Sequence, residues 1–305
     1  MALRQFFASF LALLLVALAF LYFLVPLNNI DFGGSSTRNY NFSTGGGNAS
    51  MQFYPNMRYQ TPDISYTISP DCPLQKTDEA TRAFGILEND TILNFYPVSS
   101  GGQIAVSCQD KVIVTERNTF VAGEGGPVNI TQAGNFNVIF NGTVLLIRDS
   151  QCAEPNIAIH EILHALGFVH SSNPKNVMYP VTSCDQTIGQ DTIDTIDQLY
   201  SVPGLPDLLF KNVSANLNGR YLDTSIVVFN YGLASSGPAT LDIYADNSKV
   251  KTIDLPPMDV GDGRVITLTN IFVLQPSVKQ VRFVINADFK ELEKENNEAV
   301  LNYSN

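Results

Sequence analysis

The stretch His160-Glu161-Ile162-Leu163-His164-Ala165-Leu166-Gly167-Phe168-Val169-His170 constrains this chain more than any other. It has the form H-E-x-x-H-x-x-G-x-x-H, and each fixed position has a mechanical reason. Residues four apart on an α-helix share a face, so His160 and His164 can point two imidazoles at one ion. Glu161 follows the first ligand, which sets its carboxylate beside the metal without making it a ligand. Gly167 permits a sharp turn at positive φ that ends the helix and brings His170 round as a third ligand. Three nitrogens leave one tetrahedral corner open, the arrangement of a catalytic rather than a structural zinc site. The chain has three histidines, and all three lie in this stretch. Two plainer readings are a core helix with hydrogen-bonded histidines and a zinc site kept on an inactive scaffold. The added Gly167 and His170 weigh against the first, and the presence of Glu161 against the second.

Eight residues beyond His170 stands Met178, within Asn176-Val177-Met178-Tyr179-Pro180, which resembles the Met-turn of the metzincin metalloproteases. Ser171 directly after the third histidine, followed by Met-Tyr-Pro, is similar to the matrixin branch. Gln190 to Tyr200 likewise resembles the helix that closes a matrixin domain. The likeness covers roughly residues 58–202, most strongly from 155 to 200. It implies that Met178 forms an apolar floor under the metal and that Tyr179, Pro180 and Val181 wall a substrate pocket. It also implies one catalytic Zn2+. The second, structural zinc common in matrixins has no further histidines to hold it, and although Ca2+ could bind backbone and Asp oxygens, no loop has a recognisable calcium pattern. Family aspartates placed like Asp191 and Asp194 anchor a processed amino terminus; no such terminus is evident here, so solvated helix charges are the alternative.

Phe6 to Val25 is an apolar run interrupted by Ser9 and Tyr22. Its reach of about 30 Å is enough to cross a bilayer core. Arg4 precedes it and the next basic residue is Arg38, so the amino end stays inside. We therefore expect residues 1–27 to be a transmembrane signal anchor, with a cleaved signal peptide as the alternative. Residues 28–57, rich in Gly, Ser and Asn, read as a flexible stalk with no room for a folded prodomain. The expected location is the cell membrane, single-pass with the bulk outside, or secretion if the segment is cleaved. A net charge of −11 argues against nucleic acid as a partner.

Four cysteines in an exported chain allow three pairings. Cys152 and Cys184 bracket the histidine helix and the Met-turn, so joining them would fix both walls of the site. Cys72 with Cys108 would then tie the start of the domain to a central strand, which makes a latency switch at Cys72 the weaker idea. The N-x-S/T sequons at Asn41, Asn48, Asn89, Asn129, Asn141, Asn212 and Asn302 suit an exported glycoprotein.

Between 60 and 150 the pattern is mixed. Strands are expected at 64–68, 93–98, 104–107, 111–114 and 137–140, and a helix at 74–87 with Ala80, Ala83, Phe84 and Leu87 on one face. Asn141-Gly142 reads as a hairpin turn returning through 143–147. Residues 117–134, Gly-rich, read as an irregular rim loop. The histidine helix should begin near Glu154-Pro155, with Ile157, Ile159, Ile162, Leu163 and Leu166 packed on the sheet. Ser201 to Pro206 is a boundary. Beyond it, strands expected at 224–232, 239–245, 249–255, 265–273, 280–287 and 299–303 mean a β-sandwich. Pro206-Asp207-Leu208, Phe229-Asn230-Tyr231-Gly232 and Glu295-Asn296-Asn297-Glu298 resemble CARDB-type adhesion modules with an immunoglobulin-like fold. The resemblance implies docking to a surface protein or glycan, with a rigid spacer as the alternative.

The expected fold class is therefore α+β: a metzincin domain at 58–202, with a mixed twisted sheet and a zinc-binding helix, followed by an all-β immunoglobulin-like sandwich at 206–305. The expected function is a cell-surface zinc endopeptidase acting on polypeptides, in which zinc activates water and Glu161 serves as general base. Some metzincins add an oxyanion tyrosine two residues after the Met; here Pro180 holds that place, so none is assigned. The alternative is a catalytically silent adhesion protein on a metzincin scaffold.

Overall fold

The computed structural model describes residues 51–110, 121–275 and 277–303. The expected signal anchor, most of the stalk and the strand expected at 111–114 lie outside the described residues. Among the described residues no helix is long and apolar enough to cross a membrane.

Alternating burial builds β2 (Asp63–Ile68), and α1 (Leu74–Asp90) carries the chain over one face of the sheet with Ala80, Ala83, Phe84 and Leu87 turned inward. That crossover lets β3 (Asn94–Pro97) pair with β2 in parallel, and β4 (Ile104–Cys108) pairs with it in parallel on the other side. β6 (Phe136–Leu146) lies parallel to β4, and β1 (Met57–Tyr59) runs parallel to the early part of β6 on the same side. β5 (Gly123–Ala133) runs antiparallel along the other side of β6 and forms the sheet edge. Lys76 on α1 is buried, and its ammonium donates to the carbonyls of Gln109 and Ile147 and to Asp110, an oxygen cage that satisfies the charge.

Three expectations need correction here. Asn141-Gly142 is not a turn: it lies inside β6, with Gly142 opposite Ile104 on β4 and Pro127 on β5. Glycine is there for close approach, since a Cβ would lie 2.7 Å from the Tyr59 hydroxyl and 3.1 Å from Ala165. The real hairpin is Gly134-Asn135, with Gly134 at φ +56°, the position that turns of this length give to glycine. The Gly-rich run is not irregular either, because residues 123–133 of it are the edge strand β5. The last residues expected to belong to the stalk are described and folded. Residues 51–57 are part of the fold: Phe53 N donates to Gly167 O, Val169 N to Met51 O, and the Gln52 side chain bonds both backbone groups of Met57.

α2 (Asn156–Ala165) is buried at every position, with the sheet on one side. α3 (Gln190–Tyr200) packs Ile196 into the same core, and its end is gripped by Arg58, which donates to the carbonyls of Leu199 and Val202 and lies over the Tyr200 ring. Disulfides join Cys72 to Cys108, at the end of β4, and Cys152 to Cys184.

After Pro206 the chain forms two facing antiparallel sheets. One holds β7 (Leu208–Asn218), β8 (Tyr221–Asn230) and β11 (Gly263–Phe272). The other holds β9 (Ala239–Ala245), β10 (Ser248–Leu255), β12 (Gln280–Ala287) and β13 (Glu298–Asn302). Leu222, Ile226 and Val228 meet Leu241, Ile243, Val281 and Phe283 between them. β7 was not expected from the sequence, because a register shift between Phe210 and Asn212 breaks its alternation.

Candidate metal centre

α2 sets His160 and His164 on one face, four residues and about one turn apart. Each ring is oriented by a carbonyl: His160 Nδ1 lies 2.6 Å from Val177 O, and His164 Nδ1 2.7 Å from Phe168 O. A carbonyl only accepts, so both Nδ1 atoms carry the proton and both Nε2 lone pairs stay free for an ion. The helix stops at Leu166 and the chain reverses at Gly167, φ +98°, where a Cβ would fall 2.9 Å from Met57 Cβ. The turn delivers His170, whose Nε2 lies 3.2 Å from that of His164. One ligand nitrogen from each of the three histidines lies within 4.8 Å of the others. Two nitrogens at 2.0–2.1 Å from one tetrahedral ion sit about 3.3 Å apart, so the donor set fits zinc. Burial pulls His160 down to about 4 and lowers His164 and His170 as well, which keeps the imidazoles neutral and available as ligands.

The Met-turn is fastened to the third histidine: Ser171 N donates to Met178 O, and Met178 N to Asn176 Oδ1. Val177 and Met178 are buried, and it is the carbonyl of Val177 that aims His160. Tyr179 is half-buried while Pro180 and Val181 are exposed beyond it. Asp191 bonds the backbone of Thr192 and lies 3.4 Å from the Asn176 amide, and Asp194 accepts from Gln190. These contacts make Asp191 a brace between α3 and the Met-turn.

Glu161 is 6% exposed and lies against β5. A Cβ on Gly123 would meet its Cγ at 2.7 Å, and a Cβ on Gly125 its carbonyl oxygen at 2.1 Å. The two glycines, alternating along one face of β5, let the edge strand press directly on the metal helix. Sequence reasoning missed them; their two-residue spacing was the available signal. Burial, with Glu124 as a second cause, pushes Glu161 up to about 8. A cation at the imidazoles would pull it back down. Phe53, its ring centroid 5.9 Å from that of His164, adds an aromatic rim that the sequence also left unmarked.

Residues 57–201 match the sequence model of the matrixin family, and residues 205–300 match that of the CARDB family. Stromelysin-1 of Mus musculus is 30% identical over 177 residues, 52% of this chain and 36% of that protein. Macrophage metalloelastase of Rattus norvegicus is 32% identical over 95 residues, 29% of this chain and 18% of that protein. The chain thus spans about a third or less of the length of these curated relatives. Among solved structures, a CARDB domain from Pyrococcus furiosus aligns with 33% of this chain and 88% of its own at 16% identity and TM-score 0.28. An overlap that low leaves the assignment of the C-terminal half to the family match.

Proposed function

With a matrixin domain at 57–201 followed by a CARDB domain at 205–300, we propose that this chain is a zinc endopeptidase whose general base is Glu161. The observation that carries the reading is the trio of converging imidazoles, two of them fixed in the ligating tautomer, with a buried carboxylate one residue along the same helix. His160, His164 and His170 would hold the ion. Zinc bound there supplies Lewis acidity and lowers the pKa of a coordinated water to about 7. Glu161 takes the proton from water as its oxygen bonds to the peptide carbonyl carbon. It then passes that proton to the nitrogen as the C–N bond breaks. Its near-dry surroundings raise its basicity above that of a solvated carboxylate, against the pull of the cation. β5, with one edge free of any strand partner among the described residues, is suited to pair with extended polypeptide, and Tyr179 to Val181 would flank the side chain beyond the scissile bond.

The apolar run at 6–25, the even cysteine count and the exposure of Asn89, Asn129, Asn141, Asn212 and Asn302 support a place outside the cell, anchored by the N-terminal segment. Polypeptides are the substrate class, and a surface protein or glycan is the proposed partner of the CARDB half.

The test compares the intact chain with Glu161→Gln on a broad peptide library, counting zinc per chain. One zinc in both, with cleavage reduced about 10²–10⁴-fold in the variant, is the expected result. Equal activity in both would remove Glu161 from the mechanism. One zinc with no cleavage by either would favour the silent-scaffold reading.

A further inference from the structure

Among the described residues β5 has one hydrogen-bonded strand neighbour, β6, and it is held at each end by something outside the sheet. At its start Gly123 and Gly125 rest on Glu161. Its far end rests on the C-terminal sandwich. Gly261, in the β10–β11 loop at φ +79°, sits where a Cβ would lie 2.4 Å from Thr131 Cγ2 and 2.9 Å from Gln132 O. At the hairpin tip, a Cβ on Gly134 would touch Tyr231, in the β8–β9 loop, at 3.4 Å. Behind these contacts Ala133, Phe136 and Val138 share a buried apolar cluster with Val202, Leu233 and Val260, every member at most 4% exposed. Gln60 Nε2 donates to Leu233 O across the same junction. Between the two grips β5 is bulged from Pro127 to Ile130 and leaves Val128 65% exposed.

A tether or spacer would need none of this fit. Inter-domain contacts are usually polar and permissive of motion. Here the contact is apolar, buried and close enough to require glycine against a neighbouring backbone. An edge strand with one strand partner among the described residues and a bulge opens easily, so what grips its hairpin end bears on its position. We propose that the C-terminal sandwich is a positioning element for β5: its β8–β9 and β10–β11 loops fix the edge that extended polypeptide would pair with. The geometry stands alone; the consequence for substrate rests on the peptidase reading.

The test uses the full chain carrying Tyr231→Ala or Leu233→Ala, with Tyr221→Ala, at the far β7–β8 hairpin, as control. Amide exchange is followed in residues 123–133, and KM and kcat are measured on an extended peptide. Protection of β9 and β12 checks that the sandwich is intact, and Tyr231→Ala keeps the test alive should Leu233→Ala unfold it. Both interface variants are expected to speed exchange at 129–133 about tenfold and raise KM about three- to tenfold. The same variants should leave kcat within about twofold and zinc at one per chain. Exchange no faster than in the control overturns the proposal, as does faster exchange with unchanged KM. If the unmodified chain cleaves nothing, the peptidase reading falls, and the exchange measurement decides the coupling by itself.

Discussion

A methyl group on Gly125 would lie 2.1 Å from the carbonyl oxygen of Glu161, whereas one on Gly126, the next residue, would meet open space. The pair separates the role of close packing from that of glycine's flexibility. Gly125→Ala must push β5 off α2, and overpacking of this kind costs about 1–3 kcal/mol. Gly126→Ala should leave stability within about 0.5 kcal/mol. Urea unfolding of the two variants checks this, and equal losses would show that β5 is looser than the contact implies. The same residues show what one sequence can reveal. His160, His164 and His170 were legible because helix periodicity and zinc chemistry together demand that spacing. Gly123 and Gly125 were missed despite their two-residue spacing, because glycine has low strand propensity and no side chain to mark which face it lies on. The helix they touch is also more than thirty residues away in the chain.

Most elements followed from their own pattern, and the failures occurred where a neighbour overrode it. β9 and β12 have the bounds their sequence suggests. β6 does not, since Gly142 serves Tyr59 and Ala165 rather than a turn. The segment at 51–57 looks like stalk until it meets Gly167 and Val169. The two disulfides differ in the same way, by what they tie. Cys152–Cys184 links the approach to α2 with the loop past the Met-turn, where Asn156 Nδ2 also donates to Ser183 O. Cys72–Cys108 ties the entry to α1 to the end of β4. They close loops of similar size, with sequence separations of 32 and 36 residues. On the loop-entropy account each should therefore contribute about 3–4 kcal/mol. Replacing Cys152 and Cys184 by Ala should also weaken zinc retention against a chelator, because Val177 O, which aims His160, lies within the loop they close. Replacing Cys72 and Cys108 should lower stability and leave zinc retention unchanged. Loss of zinc in both pairs would mean that global unfolding governs the metal site.

At the scale of the whole molecule, the first domain could be expected from its histidine motif and family resemblance and the second from its strand periodicity, but their contact could not. The junction is made from residues that complete one domain's core only in the presence of the other, such as Phe136 and Leu233. Asp207, between Pro206 and β7, lines a cavity together with Gln132, Gly134 and Phe136 of the first domain, and offers a pH signature of this junction. Its carboxylate accepts from Asn296 Nδ2, while its backbone bonds Asn230 and Tyr231. Burial, opposed by the Asn296 bond and reinforced by Glu291 and Glu293, pushes it up to about 6. A carboxyl with a raised folded-state pKa binds its proton more tightly folded than unfolded. Its contribution is thus fully present below the ordinary carboxylate value near 4 and is lost as pH rises through about 6. Above that pH the folded state carries a buried charge that the unfolded chain does not. Asp207→Asn keeps an acceptor for Asn296 and removes the charge. In unfolding free energy from urea titration the variant should match the unmodified chain near pH 4 and exceed it above pH 6.5, by about 2 kcal/mol once the roughly 3 kcal/mol of a rise from about 4 to about 6 is discounted for solvent screening. Because only the difference between the two chains is read, titrating groups that do not interact with Asp207 cancel. A pH-independent difference, or one largest in acid, would mean that Asp207 is solvated and the junction more open than its packing implies.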